Sequence, residues 1–479
     1  MVKIYNKMIA LNKNKGEMKA EEHPGAKLSS LPMTVAYSVS ESFKLYFGGK
    51  SLQYYEDQLL SNLDFYPKPA KNRKSKIVNT SIDEEGNFIH EFYVENTLPP
   101  EEGKEPIEIV LIHGYGAALG FFYRNIEGLT SIPGTKLHAI DLLGFGLSSR
   151  PKFPNINGDT VEGVKEAEDF FTDSLEKWRI ARGIEGKYVL MAHSLGGYLI
   201  GPYYLKYGKG RISKMVMISP VGVERSDASL INSDGSTQKE TAKSLDDDYK
   251  IAKEQGVNLS REISREDYDD GENVKGGGAI IDNIESDDTN KDEWDKLSVA
   301  SGVQENEIQN LMKQFRGRVQ PGKFIASLWR KNFSPLQIVR MTGPFAPKLT
   351  AGWTWNRFRE IKNEDEIRQI NNYTSKIFLA KGSGEYALTR ILAPGALAKL
   401  PLMDRLPENL EIDTLWLYGQ YDWMSKKDGY KICNEINHHN FNKPHGHARF
   451  RVISNAGHHV YVDNPDDFEY QVVKFLKGE

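Results

Sequence analysis

Lys187-Tyr-Val-Leu-Met-Ala-His-Ser-Leu-Gly-Gly-Tyr198 is the stretch that decides the fold. An apolar, β-prone run at 188–191 enters a turn of small residues. An apolar, helix-like run at 198–204 leaves it. Ser194 sits at the tip. A strand that reverses into a helix through one serine is a nucleophile elbow, whose strained backbone tolerates only small neighbours. The usual pattern is Gly-x-Ser-x-Gly. Here the first position is Ala192, which adds a single methyl, and the last is Gly196.

A serine hydroxyl is a weak nucleophile at neutral pH. It needs a histidine base, and the base needs a carboxylate to hold its tautomer. On an elbow of this kind the acid and then the base follow the serine along the chain. Asp422 follows the apolar run 415–418 in Tyr-Gly-Gln-Tyr-Asp-Trp-Met, and His458 follows the run 450–453 in Asn-Ala-Gly-His-His. Both lie just past the carboxyl ends of expected strands, where open α/β sheets build their sites. Asp413 is a rival acid but starts its strand, and Asp404 is placed less well. His459 is the rival base; His458 is preferred because Gly457 gives its loop room to turn. Two backbone amides complete the set. Leu195 follows the nucleophile directly. Tyr115, with Gly116 close behind, lies in the loop His113-Gly-Tyr-Gly-Ala117 after an early strand. Both are expected to donate to the oxyanion.

Working outward, 107–112, 136–143, 188–191, 214–219, 412–418 and 449–453 read as buried strands, and 160–182 reads as the helix before the elbow. Strands alternating with helices give an α/β fold with a mostly parallel sheet and helices on both faces. Residues 1–60 read as a tail with a candidate helix at 38–62, and 61–223 as the first part of the core. Residues 224–300 are an acidic insert without apolar period, expected to be disordered. Residues 301–405, where aromatics alternate with Arg and Lys, form a helical cap inserted before the last strands. Residues 406–479 complete the core and end in a helix at 466–476, with Asn464 as N-cap and Pro465 at its first position.

Composition sets the class. A chain of 479 residues with 39% apolar and 27% charged residues suits a large globular protein. One cysteine, Cys433, rules out an internal disulfide framework and fits a reducing, intracellular setting. No run approaches a membrane span, and the start is too weakly apolar for a secretory signal. Lys3, Lys7, Lys13, Lys15 and Lys19 make that start basic. It suits either a mitochondrial presequence or a solvated tail, although its first twenty residues hold no Arg or Ser. Residues 224–295 carry 21 Asp/Glu and 9 Lys/Arg, a net of −12, which leaves +8 on the rest of a chain whose total is −4. A basic body favours an anionic lipid surface or is ordinary surface charge. Nothing points to nucleic acid. The stretch Asp141-Leu-Leu-Gly-Phe-Gly-Leu-Ser-Ser149 lacks the third glycine of a dinucleotide loop, so no nucleotide cofactor is expected. His438, His439, His445 and His447 lack a nearby cysteine or acid pair, so no metal is expected. His193 reads as a buried elbow histidine.

Together, His113-Gly-Tyr-Gly116, the stretch from Asp141 to Arg150, His193-Ser-Leu-Gly-Gly197 and Gly457-His458 resemble the α/β-hydrolase fold. Asn332-Phe-Ser-Pro335, Arg340, Gly343-Pro344, Trp353 and Ser383-Gly-Glu-Tyr386 narrow the resemblance to the lipid-acting α/β-hydrolase-domain subfamily. That group spans an animal lipolysis coactivator, an N-acyl-phospholipid lipase, and fungal cardiolipin-specific deacylases and lysophosphatidate acyltransferases. The likeness covers about 105–223 and 320–479. It implies a serine nucleophile at Ser194 with Asp422 and His458, no cofactor, a phospholipid substrate and peripheral contact with membrane. It also implies a shared His-x4-Asp motif, here His458 and Asp463, for which an acyltransferase role is proposed in the family. Asp463 reads better as an entry residue of the last helix, next to the Asn464 cap. The expected activity is deacylation of a glycerophospholipid of cardiolipin type. Acyl transfer from acyl-CoA to lysophosphatidate, or a non-catalytic coactivator role, are the alternatives.

Overall fold

The computed structural model describes residues 37–231, 323–358, 361 and 363–479. Eight strands form the main sheet: β1 (Arg73–Ser81), β2 (Phe88–Asn96), β3 (Glu108–Ile112), β4 (Lys136–Ile140), β5 (Tyr188–His193), β6 (Ile212–Ile218), β9 (Asp413–Gly419) and β10 (Ala448–Ile453). A two-residue ribbon, β7 (Leu392–Ala393) with β8 (Leu397–Ala398), stands apart. The spatial order is β1-β2-β4-β3-β5-β6-β9-β10. β1 and β2 pair antiparallel, β2 meets β4 antiparallel, and every later pair is parallel.

The central parallel strands β3 and β5 are almost wholly apolar because helices cover both faces. Along β3, Val110 and Ile112 enter one core while Ile109 and Leu111 enter the other. β9 does the same, with Trp416 and Tyr418 on one side and Leu415 and Leu417 on the other. Period-2 alternation thus splits one apolar run between two cores.

The helix before the elbow spans Val161–Ala181 and is capped by Thr160, whose hydroxyl accepts from the Gly163 N–H at 3.1 Å. The last helix is Pro465–Lys477, with the Asn464 side chain accepting from the Asp467 N–H.

Four features depart from the expected organisation. The region 38–62 holds two helices, Val39–Gly48 and Leu52–Leu60, because Gly49 is extended and Ser51 starts a new cap. Both helices pack on the cap: Tyr37 Oη donates to Asn372 Oδ1 at 2.6 Å and Lys376 Nζ to the Leu45 carbonyl at 3.1 Å. The hairpin β1–β2 is absent from the sequence reading. Residues 224–231 are ordered on the core, with Arg225 paired to Asp404 and the Leu230 N–H donating to Lys399 O at 2.8 Å. The rest of the acidic insert, and the tail up to 36, lie outside the described residues. So do the first cap residues, up to 322. The described cap contains helices Lys323–Arg330, Pro335–Met341, Ala346–Arg357 and Glu364–Leu379. Residues 388–405, read as cap, bury Leu388, Ile391 and Leu402 in the main core.

Candidate active site

β5 ends at His193 and the next helix, Leu195–Tyr203, begins two residues later. Ser194 alone makes the turn, at φ 52° and ψ −116°. That conformation costs a non-glycine residue on the order of 1–3 kcal/mol. The Ser194 N–H donates to Ile218 O on β6 at 2.9 Å, and its carbonyl accepts from Tyr198 and Val221 N–H. Glycines make the close packing: a Cβ on Gly196 would lie 2.4 Å from His113 O, and one on Gly114 would lie 2.8 Å from Ser194 Cβ. Ala192 is fully buried in the core, so its methyl is accommodated.

The three expected residues meet. His458 Nε2 lies 2.9 Å from Ser194 Oγ, and His458 Nδ1 lies 3.0 Å from Asp422 Oδ1. Ser194 is half-buried, whereas His458 and Asp422 are almost fully covered. Burial alone would raise the Asp422 pKa. The His458 charge and hydrogen bond, with the Met424 N–H at 3.0 Å, outweigh it and hold the carboxyl at about 2. Asp422 is therefore a permanent anion at neutral pH, and it fixes His458 with its Nδ1 proton inward and its Nε2 lone pair toward the serine.

Both loops are anchored. The Tyr421 N–H donates to Ala456 O at 2.9 Å, joining the acid loop to the base loop, and the buried Lys426 ammonium bonds Gln420 O. Asp463 Oδ2 accepts from the Gly457 N–H at 2.8 Å, one residue before the base. Asp463 thus braces the turn that presents His458.

The rivals do other work. Asp413 Oδ1 accepts from the N–H groups of Gly446 and His447. Asp404 pairs with Arg225. His459 meets the His193 ring edge-on at 4.7 Å between ring centres, and burial pushes its pKa far down. His193 is also pushed well down, by burial and then by the His458 charge; its Nε2 proton goes to the His458 carbonyl at 3.0 Å. It is a neutral support for the base loop. His438, His439 and His445 are exposed, and the His447 ring bonds Lys443 O.

Leu195 is the first helical residue, so its N–H has no intrahelical partner. Among the described residues, neither it nor the Tyr115 N–H is engaged elsewhere. Tyr115 sits in the turn beside Gly114, and its ring oxygen accepts from the Leu336 N–H of the cap at 3.4 Å. Leu336 belongs to a knot formed by the cap motif. Ser334 Oγ donates to Glu385 Oε1 at 2.6 Å, and Arg340 donates to Glu385 Oε2 at 2.8 Å. The glycine-rich stretch after β4 is likewise a brace: Asp141 accepts from Leu119 N–H at 2.8 Å and from Leu147 N–H at 2.7 Å.

Among the described residues, one group has ligand atoms close enough for a metal: Glu56, His90 and Asp141. Its atoms are already engaged. Glu56 takes His90 Nε2 at 2.6 Å and the Tyr373 hydroxyl at 2.7 Å, and His90 Nδ1 meets Asn79 Oδ1 at 2.6 Å.

Sequence reasoning missed Trp423, whose ring packs 5.2 Å from that of His458, and did not place Trp353, which lies 6.4 Å from His459. Trp423 directly follows the acid, which is the one signal that pointed to it.

Residues 108–248 match the family model described as alpha/beta hydrolase fold. A probable 1-acylglycerol-3-phosphate O-acyltransferase of Oryza sativa subsp. japonica is 26% identical over 83% of this chain and 73% of its own length. The 1-acylglycerol-3-phosphate O-acyltransferase of Arabidopsis thaliana is 27% identical over 79% and 68%. A (lyso)-N-acylphosphatidylethanolamine lipase of Mus musculus is 25% identical over 78% and 79%. Among solved structures, an esterase from Exiguobacterium antarcticum aligns over 84% of this chain and 99% of its own, at 15% identity and a TM-score of 0.44.

Proposed function

For a chain with the α/β-hydrolase fold and with lipid-acting α/β-hydrolase-domain proteins for relatives, we propose a serine acyl-hydrolase that deacylates a glycerophospholipid, of cardiolipin type. The observation that carries this reading is the continuous relay from Ser194 through His458 to Asp422, at 2.9 and 3.0 Å. Ser194 Oγ attacks the ester carbonyl as its proton passes to His458 Nε2. The tetrahedral oxyanion is received by the Leu195 and Tyr115 N–H groups. As the C–O bond breaks, His458 returns the proton to the leaving lysophospholipid oxygen. Water, deprotonated by the same nitrogen, then cleaves the acyl-serine ester and frees a fatty acid.

Relatives named as acyltransferases favour a second reading. There the acyl group comes from acyl-CoA, and a lysophosphatidate hydroxyl takes the place of water in the last step. Asp463, bonded to the base loop, would serve either outcome. The decisive measurement gives the purified protein labelled phospholipid, or labelled acyl-CoA with lysophosphatidate. Released fatty acid supports hydrolysis, and labelled phosphatidate supports transfer. Ser194→Ala should lower either activity by at least ~1,000-fold. A variant as active as the parent overturns the mechanism. Failure of Ser194 to react with a fluorophosphonate, with no turnover in either assay, would leave a non-catalytic coactivator role.

A further inference from the structure

We propose that Glu385 is a positioning residue for the oxyanion site: it holds the cap segment 334–340 still against the Tyr115 phenol, and so aims the Tyr115 N–H. The proposal deepens the serine-hydrolase reading and rests on Tyr115 as its oxyanion donor. Such a donor works only when it points at the place where the oxyanion forms, about 3 Å away. The Leu195 N–H is aimed by the helix that it begins. Tyr115 lies instead in a turn, where Gly116 takes φ 65°. The direction of its N–H therefore depends on what holds its side chain.

That side chain ends on the cap. Its hydroxyl accepts from the Leu336 N–H at 3.4 Å and is within hydrogen-bonding reach of the Ser334 side chain. A contact of this length is weak, so it aims the ring only if its partner cannot move. Glu385 keeps that partner in place. Its Oε1 accepts from Ser334 Oγ at 2.6 Å and from Arg340 Nη2 at 2.5 Å, and its Oε2 accepts from Arg340 Nη1 at 2.8 Å. A two-pronged guanidinium–carboxylate pair fixes direction as well as distance. Ser334 also caps the helix Pro335–Met341 by accepting from the Gln337 N–H at 3.0 Å, and Arg340 lies in its last turn. One buried carboxylate thus grips both ends of the helix that carries Leu336.

Glu385 is in turn tied to the core. Ser383 Oγ donates to Pro151 O at 2.5 Å, and Arg150 donates to Lys381 O at 2.8 Å and to Gly144 O at 2.9 Å. A Cβ on Gly384 would lie 2.5 Å from Leu143 O, so the two segments are in close contact. The same core loop sends Phe145 back to the oxyanion turn, with its ring 6.1 Å from that of Tyr115 and 5.7 Å from that of His113. The contacts close a circuit: Tyr115 to the cap helix, the cap helix to Glu385, Glu385 to the loop after β4, and Phe145 back to Tyr115. How the cap is seated is thereby felt at the oxyanion site.

The test compares the full chain with Tyr115→Phe, Glu385→Gln and the double variant. One assay is hydrolysis of a soluble short-chain ester. The other is inactivation by a fluorophosphonate, in which Ser194 Oγ displaces fluoride and the phosphoryl oxygen takes the place of the oxyanion. Each single variant should lower kcat about tenfold or more with KM within about twofold of the parent, and should slow inactivation in proportion. The double variant should be no slower than the slower single, because both changes cut one link. Tyr115→Phe removes a single oxygen and keeps the N–H, so it decides the question even if Glu385→Gln fails to fold. Single variants with the parent's kcat overturn the proposal. So do effects that multiply in the double variant, or a raised KM with kcat unchanged, which would place Glu385 in substrate binding. Each of these results leaves Ser194 standing as the nucleophile. A parent that neither hydrolyses the ester nor reacts removes the hydrolase reading, and the role of Glu385 falls with it.

Discussion

In the proposed reaction, Asp422 would act through His458 and Gly114 through its close approach to Ser194. Asp422 is depressed to about 2, so it stabilises the folded state above its ordinary value of 3.8. That contribution is lost as pH falls from 3.8 through about 2. The shift is worth roughly 2 kcal/mol, and denaturant unfolding across this acid window should show it in the parent and not in Asp422→Asn. In that variant the amide has no charge to hold the His458 proton inward, so kcat/KM should fall about 10⁴-fold with the fold retained. Gly114→Ala places a methyl against Ser194 Cβ, where 2.8 Å is available. Displacing the nucleophile by a fraction of an ångström should cost about 100-fold in kcat, while circular dichroism stays unchanged. If this variant kept full activity, the elbow would have more slack than its contacts indicate.

At the scale of elements, the helix Leu52–Leu60 is the joint of the molecule. Its Glu56 bonds His90 on β2 and Tyr373 on the cap helix Glu364–Leu379. Burial pulls the His90 pKa down, but the Glu56 hydrogen bond and charge raise it above its ordinary value. The stabilisation from the charged pair is therefore full below pH 6.5 and disappears as pH rises through the folded value. Glu56→Gln should lower stability by about 3 kcal/mol near pH 6, and by less in alkaline buffer, as read from thermal melts. None of this joint was legible in the sequence, because its three members are 34 to 317 residues apart. β1 was hidden for another reason. Arg73-Lys-Ser-Lys-Ile-Val-Asn-Thr-Ser81 is an edge strand, and lysines on an edge are what keep it from pairing with strangers. The central parallel strands could be read because burial on both faces favours long apolar runs, as along β3 and β5. Ser194, Asp422 and His458 could be read because each must stand at a strand's carboxyl end. Glu385 and Asp463 stood in motifs, but what each bonds to, the Ser334–Arg340 segment and the Gly457 N–H, was not legible there, and no local pattern required Trp423.

For the whole molecule, buried histidines link stability to pH. His138 has a carboxylate on each ring nitrogen, Glu91 at 2.7 Å and Glu108 at 3.0 Å. Burial opposes its charge, but those two carboxylates raise its pKa, as Glu56 does for His90. Both contributions are fully present below pH 6.5 and are lost as pH climbs through the folded values. The melting temperature should therefore decline on the alkaline side. Removing either acceptor of His138 by Glu→Gln should flatten that decline. The contact between Glu56 and Tyr373 has a further consequence, in time. A ribosome adds about 5–20 residues per second, and these partners are 317 residues apart. The first helices of a new chain thus wait roughly 15–60 s before the cap helix that covers them is made. During that interval the helix that carries Leu59 and Leu60, fully buried in the finished protein, lacks the cap helix Glu364–Leu379 that packs against it. A nascent chain arrested before residue 379 should bind a holdase at this segment, and one released at full length should not.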